Sequence, residues 1–206
     1  MGIKARRYAD ILAGAPEYVT GRQDEWKAFL TTAARNYKYP YYDQLMIYLQ
    51  RPEATACAEY DFWFDTMHRY VKRGAKGIAL VDNEGDSPKL RYVFDVADTG
   101  ARSNSRPVWL WQMKEEYWNP VMATLERAYG VSGKNLSLEA QLERVAGRLA
   151  ADYWMDYGRQ ISNIVADSFL EEYDEFNIGA AFRKAAQASI AYTLSVRCTE
   201  EAENQF

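Results

Sequence analysis

The chain has 206 residues, of which 48% are hydrophobic and 26% charged, a composition that excludes wholesale disorder of the low-hydrophobicity, high-charge kind. The net charge of −4 conceals an asymmetry: residues 1–111 hold 16 basic against 14 acidic residues, a balance of +2, whereas residues 112–206 hold 9 against 15, a balance of −6. We therefore expect two parts, an α+β domain at 1–111 and an acidic helical subdomain at 112–206.

Signals for a membrane or an oxidising compartment are missing from the sequence. The N-terminal segment is basic, but Asp10 and Glu17 interrupt its apolar residues, so it lacks the core of a signal peptide. No apolar run reaches the roughly 18 residues that a membrane span needs. Cys57 and Cys198 lie far apart without CxxC spacing, which favours reduced, buried cysteines. We expect a cytoplasmic protein with no membrane partner.

The first part begins with helices, which are predicted over 22–37, 44–49 and 59–67. Apolar residues at three- and four-residue spacing indicate the first helix, and Pro40 ends it because the residue before a proline disfavours helix. The second helix ends before Arg51 and Pro52. Phe62 and Trp63 are expected to point inward from the third.

The pattern changes to turns and strands from Tyr70 onward. Gly74 and Gly77 bracket a tight basic turn, after which strands at 78–81 and 90–96 are predicted to pair as an antiparallel hairpin around a loop at 83–86. Gly100 and several Ser and Arg residues indicate a flexible loop over 98–107. A short strand is then expected at 108–111.

The second part is predicted to be helical over 114–129, 137–156, 158–174 and 178–196. One face of a buried helix is indicated by Leu138, Leu142, Val145, Leu149 and Tyr153, which recur at helical intervals. The acidic run 171–175 is interpreted as a solvated helix face, with a partner-binding acidic patch as the alternative. The fold class is therefore α+β, with N-terminal helices and a small antiparallel β-sheet or hairpin, followed by a mainly helical C-terminal half.

Few residues have the pattern of a catalytic centre. His68 is the sole histidine, so the usual histidine of a zinc site, a catalytic triad or a proton shuttle has almost no candidate. Neither GxxxxGK[ST] nor GxGxxG occurs. Asp82, Glu84, Asp86, Asp95 and Asp98 leave a magnesium-dependent nuclease open, but carboxylates beside a hairpin are more often solvated turn residues. We expect no enzyme, no cofactor and no metal.

The main positive signal is a cluster of cations from Arg69 to Gly77, which we call the basic turn. Its four cations are Arg69, Lys72, Arg73 and Lys76, within eight residues that contain no acid. A turn punctuated by glycine can bring backbone N–H groups and basic side chains to phosphate oxygens. The basic turn is therefore a candidate phosphate-binding site for DNA, single- or double-stranded.

A second cluster, the tyrosine cluster, interleaves cations with aromatic residues. It consists of Arg35, Tyr37, Lys38, Tyr39 and Tyr41. Rings of this kind contribute roughly 1–3 kcal/mol per stacked base in proteins that bind single strands. The alternative is that the tyrosines pack in the core while the cations solvate a loop.

Some residues of both clusters belong to a longer motif string that resembles the N-terminal domain of ArdC-type antirestriction proteins. The string reads Trp26-x-x-Phe29-Leu30-x-x-Ala33, Tyr37-x-Tyr39, Gln44-x-x-Ile47-x-x-Gln50-x-Pro52-x-Ala54, Trp63 and Arg69-x-Val71-x-Arg73-Gly74-x-Lys76-Gly77-Ile78. It covers about residues 22–98. This resemblance implies single-stranded-DNA binding on plasmids and conjugative elements.

The whole chain also resembles the N-terminal region of large helicase and DNA-methylase proteins on mobile elements of Firmicutes. Stretches similar to 54–60, 77–99 and 168–179 occur together there. Two departures from the ArdC pattern matter: His68 stands where glycine usually precedes the arginine, and the His-Glu-x-x-His helix of the ArdC zinc-peptidase half is absent from this sequence. The resemblance therefore implies DNA binding without proteolysis.

These observations predict a non-catalytic DNA-binding anti-defence protein, antirestriction or anti-CRISPR, or such a module of a mobile genetic element. Its partners would be DNA and a host defence nuclease. Two alternatives stay open: a protein-binding inhibitor that acts through the acidic helical half without DNA, and a recruiting domain of a larger helicase or methylase.

Overall fold

The computed structural model describes residues 3–82, 87, 89–165 and 171–198. It divides into two compact units, Met1–Trp111 and Gln112–Phe206, at the position where the charge balance changes sign. The first combines helices with small antiparallel sheets and the second is helical, which confirms the α+β class. No helix among the described residues is long and apolar enough to cross a bilayer.

Three helices form one side of the first unit: α1 (Ile3–Thr20), α2 (Gln23–Arg35) and α3 (Tyr41–Gln50). The predicted helices over 22–37 and 44–49 are confirmed as α2 and α3, and Pro40, with an extended backbone, stands immediately before α3. The sequence analysis did not predict helix α1. All three bury apolar side chains, and α1 and α3 pack on the strand that follows the basic turn.

A three-stranded antiparallel sheet holds β1 (Cys57–Glu59), β3 (Ile78–Asp82) and β4 (Lys89–Asp95) in the order β1-β4-β3. The predicted hairpin is confirmed as β3 and β4, in which Ile78 lies opposite Val93; its predicted loop at 83–86 lies outside the described residues. Strand β1 pairs with the end of β4, Cys57 opposite Asp95. Because both neighbours run antiparallel to β4, the first residues of β1 and of β3 lie at the same end of the sheet.

A second, two-stranded sheet pairs β2 (Arg69–Val71) with β5 (Thr99–Ala101). The prediction of a flexible loop over 98–107 is therefore wrong for its first residues. The remainder is bonded to the residues just before β2: Ser105 Oγ donates to the His68 carbonyl at 2.6 Å, and the Arg106 N–H donates to the Met67 carbonyl at 3.0 Å. The described residues 108–111 form no strand, contrary to the prediction.

The predicted helix over 59–67 is present as a helical segment over 60–66, of which Phe62–Thr66 is π-helical, whereas Glu59 ends β1. Trp63 is buried, as expected, and its indole N–H donates to the Phe94 carbonyl at 2.9 Å. Phe62 is exposed, which makes its predicted inward position wrong. Adjacent side chains of a helical segment point in different directions, so burial of Trp63 leaves Phe62 on the surface.

The second unit contains α4 (Trp118–Tyr129), α5 (Leu138–Ile164) and α6 (Glu175–Cys198). Met113, Leu138 and Leu142 form its buried cluster. The predicted boundary between the helices over 137–156 and 158–174 is wrong, because α5 continues through Gly158. This glycine lies against the Trp154 indole, as does Gly179 of α6, where an added Cβ would come within 2.7 Å of the ring. The glycines therefore make room for a ring between two helices.

Two predictions about the second unit need correction. Tyr153 is exposed, so it does not continue the buried face of Leu138, Leu142 and Val145. The run 171–175 is a turn that leads into α6 and not a helix face. Within it the Asp174 carboxylate accepts the Asn177 N–H at 2.8 Å, the bond by which an aspartate caps a helix N-terminus. Residues 166–170 lie outside the described part.

Candidate nucleic-acid interface

The basic turn connects the two sheets of the first unit, from β2 to β3. Gly74 has φ +86°, a conformation that glycine adopts without strain. The Lys72 N–H donates to the Asp98 carbonyl at 2.8 Å and the Ala75 N–H to the Lys72 carbonyl at 3.1 Å. The turn is thus fixed at its start to the chain before β5.

The four cations of the basic turn do not have equal freedom. The Arg69 Nε donates to Thr99 Oγ1 at 2.8 Å across the two-stranded sheet, and the Lys72 ammonium donates to the Ala97 carbonyl at 2.8 Å. Arg73 and Lys76 have exposed side chains. The structure therefore gives Arg69 and Lys72 a part in holding the turn, and presents Arg73 and Lys76 to solvent.

The tyrosine cluster divides in a similar way. Tyr37 is 53% exposed, with the Lys38 ammonium 5.8 Å from its ring centroid. Tyr39 is partly buried, its hydroxyl donates to the Cys57 carbonyl at 2.9 Å, and burial raises its pKa. Tyr41 packs edge-on against Phe29, and burial raises the pKa of its phenol as well. Tyr39 and much of Tyr41 are therefore packed against other residues, whereas Tyr37 lies on the surface.

The sheet register brings both predicted clusters to one end of the sheet. Tyr39 is bonded to Cys57, the first residue of β1, and the basic turn leads into Ile78, the first residue of β3. Only β4 separates these strands, and neighbouring strands lie about 4.8 Å apart. Cys57 lies opposite Asp95 and Ile78 opposite Val93, two positions apart along β4, so the two strand starts are about 12 Å apart. Arg35, half-buried, ends α2 and is the first residue of the tyrosine cluster.

A third set of residues, which the sequence analysis did not select, lies beside the basic turn. We call it the aromatic strip, and it consists of Tyr60, Phe64, Tyr70 and Arg102. The Tyr60 and Phe64 rings are nearly parallel, 10° apart with centroids at 6.0 Å. The Arg102 guanidinium lies 5.1 Å from the Phe64 centroid and 5.8 Å from that of Tyr70. The strip is thus a continuous set of planar groups.

A sequence signal for the aromatic strip existed. Residues 60–64 contain four aromatic rings in five positions, more than one face of a short helix can bury. The structure buries Trp63 and leaves Tyr60, Phe62 and Phe64 exposed. Tyr70 lies inside the sequence of the basic turn, and its ring is exposed as well.

Contacts connect the aromatic strip to the basic turn at both ends of the turn. Tyr70 belongs to β2, from which the turn departs, and Phe94 packs edge-on against Tyr60 at 6.5 Å. Phe94 also lies against Gly77, where an added Cβ would be 3.1 Å from the ring. Glycine at 77 therefore lets the end of the turn lie close to the rings.

A further cation approaches the same area from α1. The Lys4 ammonium lies 5.2 Å from the Tyr92 ring centroid, and the hydrogen bond to Tyr92 raises the pKa of Lys4. The Cβ of Tyr92 lies 3.2 Å from the position that a Cβ on Gly77 would occupy. Lys4 thus adds positive charge near the end of the basic turn.

Two of the carboxylates considered for metal catalysis have structural partners. Asp95 is buried and accepts N–H groups of Thr55, Ala56 and Ala97 at 2.8–3.0 Å, and Asp98 pairs with Arg51 at 3.3 Å. Glu84 and Asp86 lie outside the described residues. Among the described residues no group of three or more His, Cys, Asp or Glu side chains could hold a metal ion.

The two cysteines are unpaired with each other and half-buried. Burial raises the pKa of the Cys57 thiol to about 12 and also raises that of Cys198. Both are therefore protonated at neutral pH, and a thiol is a much weaker nucleophile than a thiolate.

Comparisons with known proteins return no match. No protein-family model matches the chain, and no curated protein or solved structure matches it significantly.

Proposed function

We propose that this chain is a non-catalytic DNA-binding protein, or a module of one, that a mobile genetic element uses against host defence. The observation that carries the proposal is the position of the basic turn directly beside the exposed rings of the aromatic strip. Exposed cations suit phosphates, and exposed rings suit bases. Few other ligands present both groups at such short intervals.

The cations available for phosphate contact are Arg73, Lys76 and Lys4, with Lys38 beside Tyr37 on the other side of β4. Three or four phosphate contacts on a single strand make binding salt-dependent, because each releases condensed counterions. Between about 50 and 200 mM salt we expect affinity to fall roughly 20- to 50-fold. This modest number of contacts is consistent with binding that requires additional contacts to bases.

The anti-defence role follows from the resemblance to ArdC-type antirestriction proteins. A protein that covers DNA competes with a restriction enzyme or a CRISPR effector nuclease for the same strand. The second part, with its balance of −6, suits a second contact with the positively charged channel of such a nuclease, because opposite charges favour encounter.

The test is equilibrium binding of fluorescent single- and double-stranded DNA across a salt series. The variant to compare is Arg73→Ala/Lys76→Ala, because these side chains are exposed, whereas Lys72 also holds the Ala97 carbonyl. We expect the double variant to bind at least tenfold more weakly at low salt and to show a shallower salt dependence, since each lost phosphate contact lowers the slope.

A matched control is Lys89→Ala/Lys184→Ala, which removes the same net charge from exposed positions elsewhere. Lys89 begins β4, at the opposite end of the sheet, and Lys184 lies on α6. The control should bind within about twofold of wild type, because neither lysine belongs to the basic turn, the tyrosine cluster or the aromatic strip. Equal losses in the two variants, or no binding of either DNA at low salt, would show the proposed function to be wrong.

A second candidate function, a protein-binding inhibitor, is supported by exposed apolar side chains in the second unit. Met155, Ile164 and Phe176 are each at least 76% exposed, on α5 and at the start of α6. Exposed apolar groups together with acidic residues are typical of a surface that binds a protein. Inhibition of a nuclease by the Arg73→Ala/Lys76→Ala variant at wild-type strength would favour this candidate.

A further inference from the structure

The aromatic strip leaves large apolar surfaces in water. Tyr60, Phe64 and Tyr70 are 49%, 41% and 42% exposed, and their rings lie together with the Arg102 guanidinium. Contiguous exposed apolar surface on a folded unit commonly marks a binding site. Because the basic turn adjoins it, the occupant that fits must combine flat apolar groups with negative charge.

We infer that Tyr60, Phe64, Tyr70 and Arg102 form a stacking platform for unpaired nucleobases. The inference rests on the proposed function and makes it more specific, since it names unpaired bases as the ligand of this surface. The faces of bases in a duplex are covered by their neighbours, and only the edges are accessible in the grooves. Rings and guanidinium planes therefore stack on bases that have left the helix.

The platform is held in place from beneath. Tyr70 lies flat against Gly100, where an added Cβ would come 2.3 Å from the ring carbon Cζ, so this position accepts no side chain while the ring stays where it is. Tyr60 packs against Phe94, and Trp63, between Tyr60 and Phe64 in sequence, is anchored to the Phe94 carbonyl. Rings fixed before binding lose little conformational freedom when a base stacks on them.

The experiment compares two probes with the same number of phosphates: a short fluorescent oligothymidine and an abasic strand of equal length. The variants are Tyr70→Leu and Phe64→Leu, which remove a ring but keep an apolar side chain, and Gly100→Ala, which displaces Tyr70 without deleting it. Tyr18→Leu is the matched control, because Tyr18 is 55% exposed near the end of α1. Thermal unfolding of each variant establishes that it is folded.

We expect wild type to bind oligothymidine roughly 5- to 150-fold more tightly than the abasic strand, which is the contribution of one stacked base. Tyr70→Leu and Phe64→Leu should lose most of this preference while binding the abasic strand like wild type, and Gly100→Ala should behave like Tyr70→Leu. Tyr18→Leu should leave both affinities unchanged. By contrast, Arg73→Ala/Lys76→Ala should weaken both probes by the same factor.

Two results would overturn the inference, and they are distinguishable. If both probes bind equally well and the ring variants change neither, phosphate binding by the basic turn stands and the stacking platform is wrong. If neither probe binds wild type at low salt, the proposed function fails and the platform with it. Should Gly100→Ala unfold, the two leucine variants decide the question.

Discussion

His68 has a backbone conformation that residues with a Cβ seldom adopt. Its φ is +53°, in the left-handed region that costs a residue with a Cβ about 1 kcal/mol or more. In the proposed resemblance to the ArdC pattern, this residue stands where glycine is usual. The left-handed conformation supplies a physical reason for glycine at this position, because glycine has no Cβ to clash.

We predict that His68→Gly stabilises the first unit by about 0.5–1 kcal/mol, since relief of the strain exceeds the added freedom of the unfolded chain. His68→Val should destabilise it by a similar or larger amount, because a β-branched residue avoids positive φ. Urea unfolding followed by circular dichroism measures both. The comparison is Asn135, with φ +60°. Asn135→Gly should raise the free energy of unfolding by less than His68→Gly, because asparagine tolerates this region. A His68→Gly protein less stable than wild type would contradict the prediction.

The motif string also turns out to contain many structural contacts. The backbone carbonyls of its Pro52 and Ala54 accept bonds of 2.6 and 3.1 Å from Thr32 and Asn36. The indole N–H of its Trp63 donates to the Phe94 carbonyl. A list of shared residues therefore predicts a scaffold more directly than it predicts a ligand. Residues that face a ligand are exposed, and the sequence does not show which tyrosines are exposed. The reason is that a tyrosine ring suits both core and surface.

At the scale of elements, the long periodic segments were predictable and the short strands were not. Helices α2, α3 and α4 and the hairpin of β3 and β4 follow from apolar spacing and turn residues. Strands β1, β2 and β5 have three residues each, too few to show a period, and their partners lie 25 or more positions away in sequence. Such strands form because tertiary packing selects them. The aromatic strip was missed for this reason, since β2 and β5 place Tyr70 beside Arg102.

The outer edge of β3 is covered by the last residue of α3. The Gln50 side chain donates to the Ala79 carbonyl at 2.8 Å and accepts the Ala79 N–H at 2.9 Å. It thus occupies the place of a neighbouring strand. Unpaired edges invite pairing with another chain, so this side chain both satisfies buried polar groups and blocks association.

We predict that Gln50→Leu lowers the free energy of unfolding by about 2–4 kcal/mol, because it leaves two buried backbone groups without partners. Gln44→Leu on the same helix is the matched control; its amide makes one bond of 3.3 Å, to the Asn36 carbonyl, and should cost about 1 kcal/mol. Urea unfolding gives both values, and size-exclusion chromatography reports association through the uncovered edge. Equal costs for the two variants would contradict the proposed role of Gln50.

At the scale of the whole molecule, the charge balance changes sign where the chain divides into its two units. The unit that ends at Trp111 carries +2 and the one that begins at Gln112 carries −6. We expect the acidic unit to weaken the proposed binding of the whole chain to DNA through long-range repulsion, which salt screens. A net charge of −4 therefore does not describe the surface that would meet a phosphate backbone.

We predict that a fragment of residues 1–111 binds single-stranded DNA more tightly than the whole chain at low salt, and that this difference disappears as salt is raised. The reason is that removal of six net negative charges abolishes repulsion but leaves the basic turn and the aromatic strip unchanged. Residues 112–206 alone should not bind. The measurement is the same DNA titration, after cooperative thermal unfolding has shown that the fragment is folded. A folded fragment that binds no DNA, beside a whole chain that does, would transfer the DNA contact to the helical unit and leave the basic turn without its assigned role.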